Sequence, residues 1–475
     1  MLQISRSARF LAPLALGTTL LCGCAIGPDY KRPDAASADH YKAATTNAAA
    51  VPDQWWTLFG DSVLNDLEDQ VKVNNQNIAQ AAAAYAQARA VVRQDRSSLL
   101  PSIGVSGGAT RTGGGSTVIG GSTFNTPTTT NYQLAGTASW ELDIWGKLRR
   151  SLENAKASAQ ASAAELASAT LSAQSQLAIA YLELRGADAQ RRLLADTTVA
   201  YARTLTITQN RYAAGTAART DVLQAQTTLY SAQNQEQSEL LQRAQLENAI
   251  AALVGKPAPG FAIAPVDSWT PAMPDIPSGL PSELLQRRPD IASAERSLQA
   301  ANATIGVNEA AYFPSVSLSG QYGFASQVLR TLFDSQNASH SIGASLSGTV
   351  LDFGGRRAQV DQARDAYASA VASYRQTVLT AFQDVENDLV SADIYHKELD
   401  ILRQDSSAAD LAEQLTLNQY KAGTADMTTV VTAEASALTA RIQLAQMQVN
   451  RQTNAVTLIT DLGGGWKAPD YTHYD

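Results

Sequence analysis

The amino-acid sequence predicts an α+β membrane protein in which each chain adds four strands to a barrel shared between copies and carries very long helices beyond it. Three features point there: two pairs of short strands almost free of charge, helical stretches of about 70 residues, and a repetition of the whole pattern at an offset of about 210 residues. Four antiparallel strands leave two unpaired edges, which hydrocarbon does not tolerate, and small barrels avoid edges with about eight or more strands. Closure therefore requires other copies of the chain. Two copies would give about eight strands, three about twelve and four about sixteen, and strand counting alone does not choose among them.

Taken in order, residues 1 to 23 read as a signal peptide, with Arg6 and Arg9 as its positive end and Phe10 to Leu21 as an apolar stretch too short to span a bilayer. The stretch ends in Leu21-Cys22-Gly23-Cys24, which resembles a bacterial lipobox. Cleavage there would leave Cys24 as the acylated first residue; the alternative is an ordinary secretory signal with two incidental cysteines. With Cys22 removed and Cys24 acylated, no thiol remains for a disulfide. Residue 25 is Ala rather than Asp, which in bacterial lipoproteins implies sorting to the outer membrane. No later segment has about 18 consecutive apolar residues, so no transmembrane helix is expected.

The chain of 475 residues is 17% charged and 45% hydrophobic, as an ordered protein is. Its net charge of -8 becomes about -10 once Arg6 and Arg9 leave with the signal, which disfavours nucleic acid as a partner. His40, His340, His396 and His473 are isolated from one another, so neither a zinc cluster nor a histidine-based triad has obvious material. No catalytic, cofactor-binding or metal-ligating residue is assigned, and an enzyme is not expected.

Prolines set the domain limits. Residues 256–282 form a Pro-rich linker, while 128–256 and 315–468 contain no proline. The expected organisation is a signal peptide 1–23, an anchored segment 24–60, a first repeat 61–255, the linker, a second repeat 283–466 and a tail 467–475. The repeat is explicit where Asn210-Arg211-Tyr212-Ala213-Ala214-Gly215-Thr216-Ala217 recurs as Asn418-Gln419-Tyr420-Lys421-Ala422-Gly423-Thr424-Ala425. Leu142-Asp143-Ile144 and Gly146 likewise echo Leu351-Asp352-Phe353 and Gly355, and Pro101-Ser102 echoes Pro314-Ser315.

Period-two alternation predicts strands over 101–110, 132–142, 313–324 and 341–351. In the third, Val316, Leu318, Gly320, Tyr322 and Phe324 alternate with Ser315, Ser317, Ser319, Gln321 and Gly323; in the fourth, Ile342, Ala344, Leu346 and Val350 alternate with small polar residues. A soluble sandwich would place charges outside, whereas strands with almost no charge on either face, one apolar and the other small and polar, suit lipid outside and water inside. The segments 111–131 and 325–340, rich in Gly, Ser, Thr and Asn, read as exposed hairpin loops.

The remaining segments, 62–98, 144–213, 217–254, 283–311, 355–421 and 427–461, are dominated by Ala, Gln, Leu, Ser and Glu and read as helices. Asp143 and Asp352 stand where N-caps belong. A helix of some 70 residues is roughly 100 Å long, which no compact globular domain holds. A stripe of Leu148, Leu152, Ala155, Ala159 and Leu166 would let helices approach closely in a coiled-coil-like wall, although Ala-rich coils also occur in filaments and stalks. The two Tyr-x-x-Gly-Thr segments read as helix hairpin tips, with Gly215 and Gly423 left-handed at C′ and Thr216 and Thr424 capping the next helix. Glu153, Glu165 and Glu183 read as a solvated or lumen-facing surface; Asp384, Glu386 and Asp388 either line a cation-selective lumen or face water.

Several of these motifs together resemble the TolC-type outer-membrane efflux proteins, in particular the lipoprotein branch often called the NodT family. Cys24 to Pro33 looks like the family's anchor segment, and Trp55-Trp56 with Phe59, Asp61 and Leu64 looks like the opening of its first helix. Leu284 to Ile291 with Glu295, and Leu462-Gly463-Gly464-Gly465-Trp466, resemble its signatures at the start and end of the second half. The resemblance implies a homotrimer, a twelve-stranded transmembrane barrel and a periplasmic helical tunnel docking on an adaptor protein and an inner-membrane transporter. It also implies that the hairpin tips, with Tyr212, Gly215, Thr216, Thr220, Asp221, Tyr420, Gly423 and Thr424, form the periplasmic mouth. In the family a Tyr and an Arg of the second tip bond an Asp of the first. Tyr420 and Asp221 match the Tyr and Asp, but Ala425 stands at the Arg position, so a Tyr420–Asp221 latch is expected without its second half.

The function this implies is a passive exit duct for efflux of small toxic compounds, energised by an inner-membrane pump, since no Gly-x-x-x-x-Gly-Lys-Ser/Thr loop is present to bind nucleotide. A duct for a secreted polypeptide is the alternative within the same fold, a structural envelope lipoprotein the alternative outside it.

Overall fold

The structure is a computed structural model that describes residues 25–35, 41–42, 51–125, 127–266, 269, 272–274, 276 and 287–468, with backbone alone at 116–119 and 122–125. The signal peptide, Cys24 and the Leu284-Leu285-Gln286 part of the second-half motif lie outside the described residues.

A short 3₁₀ turn, Trp55–Phe59, opens the folded body, and α1 (Ser62–Asn74) follows with Asp61 as its N-cap, accepting from Val63 N and Leu64 N. The single helix expected over 62–98 is two. Asn75 ends α1 in an extended conformation and caps α2 (Gln76–Ser98) through its side chain, which also donates 2.9 Å to Leu253 O. Pro101 precedes β1 (Ser102–Thr112), and β4 (Thr129–Leu142) returns antiparallel to it. Between them, inside the expected loop, lies a small hairpin of β2 (Ser116–Ile119) and β3 (Ser122–Asn125). Next come α3 (Lys147–Ala213) and α4 (Arg219–Leu253).

The second half repeats this order with α5 (Pro289–Ala310), β5 (Ser315–Ser326), β6 (Ala338–Ser347), α6 (Gly355–Ala422) and α7 (Met427–Asp461). β6 ends earlier than expected: the ladder closes at Ser315↔Ser347, where Gly348 abuts Pro314, and Val350 lies outside the strand. The segment before it holds two 3₁₀ turns, Leu329–Thr331 and Ser335–Asn337.

In each half one long helix runs the full length, and two shorter helices meet end to end beside it. The end of α4 reaches the α1–α2 break through Asn75, and the end of α7 reaches the start of α5 through Arg288, which donates 3.2 Å to Asp461 O. At 1.5 Å per residue the 67 residues of α3 and the 68 of α6 are each roughly 100 Å long. Ala155, Ala157, Ala159, Ala161 and Ala164 of α3 are buried, whereas the expected Leu148, Leu152 and Leu166 are half-buried. Small buried residues are what allow such close helix packing. The widest core surrounds the shorter-helix junctions, where Trp55, Trp56, Phe59, Leu64 and Val71 pack on Leu177, Tyr181, Leu184 and Ile459. Each fully buried large aliphatic side chain there contributes roughly 1.5–3 kcal/mol.

Asp143 and Asp352 do not occupy the N-cap positions, which fall to Gly146 and Gly354 in left-handed conformations. They nevertheless take the capping bonds from a distance: Asp143 accepts from Leu148 N and Arg149 N, and Asp352 from Gly354 N and Arg356 N. The strand-to-helix turns in the two halves are thus built the same way.

Candidate functional site: a conduit and its mouth

The sheet order is β1-β4-β5-β6, so β1 and β6 are both open edges. Its register assigns every side chain to a face. One face carries Ser102, Gly104, Ser106, Thr137, Ser139, Ser315, Ser317, Ser319, Gln321, Ser341, Gly343, Ser345 and Ser347. Serine hydroxyls pair across it at 2.7 Å (Ser102 with Ser139, Ser317 with Ser345) and 3.1 Å (Ser315 with Ser347). The opposite face carries Ile103, Val105, Leu134, Trp140, Val316, Leu318, Tyr322, Phe324, Ile342 and Leu346. In one copy that apolar face is open, with Val105 79% and Ile342 92% exposed.

Water would not tolerate such a face uncovered, and lipid covers it. Strands of 10 to 14 residues match the roughly 9–11 that a tilted strand needs to cross hydrocarbon. Aromatic rings mark both rims: Tyr132, Tyr322 and Phe324 toward the loops, and Trp140 with the stacked Trp145–Phe313 pair (centroids 4.7 Å apart) toward the helices. Among the described residues no helix is long and apolar enough to cross a membrane.

At the helix-side rim the N-terminal segment is tied down along its length. Ile26 N donates 3.1 Å to Trp145 O, and Arg150 donates to Ile26 O, Gly27 O and Asp29. Farther along, Asn302 donates to Pro28 O, and Arg32 bonds the Tyr374 hydroxyl and pairs with Glu295. Ala25 therefore lies against Gly146 at the level of the Trp145–Phe313 pair.

The far end is made by the two hairpin tips. Gly215 (φ 71) and Gly423 (φ 80) are left-handed, as expected where a helix reverses. Thr216 and Thr424 act on the preceding helix rather than the next: each donates both N–H and hydroxyl back, to Arg211 O and Gln419 O respectively. The following helices are capped otherwise, α4 by Asp221 accepting 3.2 Å from Ala218 N, and α7 by Asp426 accepting 2.8 Å from Thr429 N.

The Tyr420–Asp221 latch is not formed within the protomer. Tyr420 is 2% exposed and its hydroxyl donates 3.3 Å to Thr208 Oγ1, while Asp221 is taken up by its own helix start and by Thr220 at 3.5 Å. Tyr420 packs with Ala225, Met427 and Val430 instead, and Tyr212 points outward. The group that does reach Tyr420 is Arg211, a residue that inspection of the motif passed over.

Above the tips, α3 and α7 share a buried polar seam. Glu434 of α7 accepts 2.9 Å from the Thr204 hydroxyl, and the Tyr201 hydroxyl donates 2.9 Å to Glu434 O. Burial, reinforced by the nearby Glu413 charge, pushes the Glu434 carboxyl up to about 7. Higher still, the expected solvated acidic cluster proves to be part of a junction. Burial, reinforced by the neighbouring Asp461 of α7, raises Asp388 to about 8, and Arg288 pairs with Asp461 at 3.2 Å and Asp290 at 2.7 Å. Glu386 accepts from Lys42 N. Glu153 pairs with Arg150, Glu165 is exposed, and burial raises Glu183.

A half-open sheet, oily on one face and hydroxyl-lined on the other, that runs directly into helices of roughly 100 Å defines one subunit of a barrel-and-tunnel membrane channel. The chain belongs to the outer membrane efflux protein family, whose model matches residues 67–256 and 280–464. It is 30% identical to the outer membrane protein OprJ of Pseudomonas aeruginosa over 451 residues, 94% of each chain. Among solved structures it resembles the outer-membrane channel OprN, with a TM-score of 0.87 and 30% identity over 94% of this chain and all of that one. It likewise resembles the open state of the Neisseria gonorrhoeae outer membrane channel MtrE, with a TM-score of 0.81 and 29% identity over 94% of this chain and 99% of that one.

Proposed function

We propose that this chain is the exit duct of a tripartite efflux system. Three copies close a twelve-stranded barrel, and a periplasmic adaptor and an inner-membrane transporter deliver small toxic compounds to its tunnel. The observation that carries the reading is the sheet register, which sorts a hydroxyl-bearing face, with Glu141 as its one charged group, from an apolar one and leaves β1 and β6 both open. A lumen lined by Ser, Thr and Gly binds nothing tightly, as a duct for varied solutes requires, so selection falls to the transporter. Transport through such a duct needs no catalytic step in this chain.

Cys24 carries the acyl chains. Its neighbour Ala25 sits beside the Trp145–Phe313 pair, the level at which acyl chains would enter the periplasm-facing leaflet. The tips around Tyr212, Gly215, Thr216, Thr220, Asp221, Tyr420, Gly423 and Thr424 form the periplasmic mouth and meet the adaptor. A strain lacking the gene, challenged with antibiotics, dyes, detergents and metals, should become sensitive to a subset and recover with the intact gene. Unchanged susceptibility throughout, with a secreted polypeptide lost, would replace efflux by protein export.

A further inference from the structure

Each protomer contributes two hairpin tips, and the structure joins them through one cation. Arg211, on the last turn of α3, lies with its guanidinium carbon 4.4 Å from the centre of the Tyr420 ring on the last turn of α6, and its Nη1 donates to Tyr420 O. The same guanidinium is the side chain nearest Gly423, 3.9 Å from where a Cβ would stand. Beneath it the Tyr420 hydroxyl donates to Thr208 Oγ1, which in turn lies 3.6 Å from Met427 Sδ. One arginine of the first hairpin thus holds the second by its ring and by its backbone, and the contact is sealed by buried Ala225, Met427 and Val430.

Resting on the channel reading above, we propose that Arg211 is the residue that holds the periplasmic mouth closed, by clamping the two hairpins of each protomer together at Tyr420. It supplies from the first tip the cation that Ala425 does not supply from the second. Two features make the clamp releasable. The Arg211 Nε–H is buried without a partner, so the clamp rests on one hydrogen bond and one stack. The acceptor is a helix C-terminal carbonyl, which water satisfies equally well once the hairpins part. Arg211 falls outside the duplicated pattern, its counterpart being Gln419, as expected of a group that reaches across from one repeat to the other.

The test is single-channel recording of the purified full-length assembly in planar bilayers. Arg211→Ala should raise the frequency of open events about ten-fold or more, the scale of losing a desolvated cation–π contact with its hydrogen bond. Arg211→Lys should restore part of the closure. Openings in Arg211→Ala as rare as in wild type overturn the clamp. Should Arg211→Ala not assemble, Arg211→Gln keeps most of the stem while removing the cation, and it should open as often as expected for Arg211→Ala; openings as rare as in wild type overturn the proposal. A wild-type assembly that forms no pore overturns the channel reading itself.

Discussion

Replacing Glu434 by Gln should abolish a pH dependence that the wild-type protein carries in the seam between α3 and α7. The carboxyl is 3% exposed, accepts one hydroxyl bond from Thr204 and feels Glu413, itself held by Arg441 at 2.5 Å. Burial lifts it from an ordinary 4.5 to about 7. At about 1.4 kcal/mol per pH unit, that interval corresponds to about 3 kcal/mol per protomer. The sign follows from where the proton sits. Below about pH 4.5 the group is neutral whether the seam is closed or parted. As the pH rises toward 7 the hydrated, parted form loses its proton while the buried one keeps it, so the closed seam progressively weakens; above 7 the loss is complete. Gln keeps an oxygen for Thr204 and has no charge to release. Amide hydrogen exchange of residues 428–442, corrected for intrinsic rates, should show the wild-type seam less protected at pH 8 than at pH 5. The Glu434→Gln protein should be equally protected at both. Wild type and variant sharing the same pH dependence would refute the assignment.

Three further substitutions test the interior. Asp188 is fully buried and holds both Arg243 (2.6 Å) and Arg185 (3.3 Å), so Asp188→Ala takes the shared carboxylate from buried Arg185 and leaves Arg243 with Glu247, and it should cost about 3 kcal/mol in guanidinium unfolding followed by helical circular dichroism. Glu68 is fully buried, neither carboxyl oxygen has a partner among the described residues, and burial pushes it up to about 9; Glu68→Leu should stabilise by about 1–3 kcal/mol in the same assay. Gly27 has φ +101, and a Cβ there would stand 2.4 Å from Gly306 Cα. Gly27→Ala should lift the N-terminal strap and speed proteolytic clipping within residues 25–35, with pore conductance unchanged.

The paired strands and long helices are legible in the sequence because local periodicity encodes them. Alternating Ser and apolar residues on β5 report a two-sided sheet before any partner is known, and the register turns that alternation into two continuous faces. What escaped depends on distant or unpatterned contacts. The α1–α2 break carries neither Gly nor Pro; Asn75 makes it by capping α2 and bonding Leu253, 178 residues away. Asp384, Glu386 and Asp388 read as a wet face because Asp461 and Arg288, which bury Asp388, sit on other elements. Val350 continues the strand alternation, but the ladder ends where Gly348 meets Pro314. At the mouth the signal was present in the mismatch: within an octad otherwise largely repeated, Arg211 faces Gln419.

The sheet ends on two different strands, and this has a genetic consequence. Around a closed ring every β6 must find a neighbour's β1, so each chain is both donor and recipient of an edge. A subunit whose β6 cannot pair would fold its helices, join a ring and leave it slit along one side, where unbonded backbone would face lipid. In a cell making equal amounts of sound and edge-blocked chains, about one trimeric ring in eight would be free of the faulty copy. Loss of an edge is therefore dominant, whereas loss of the whole chain is recessive.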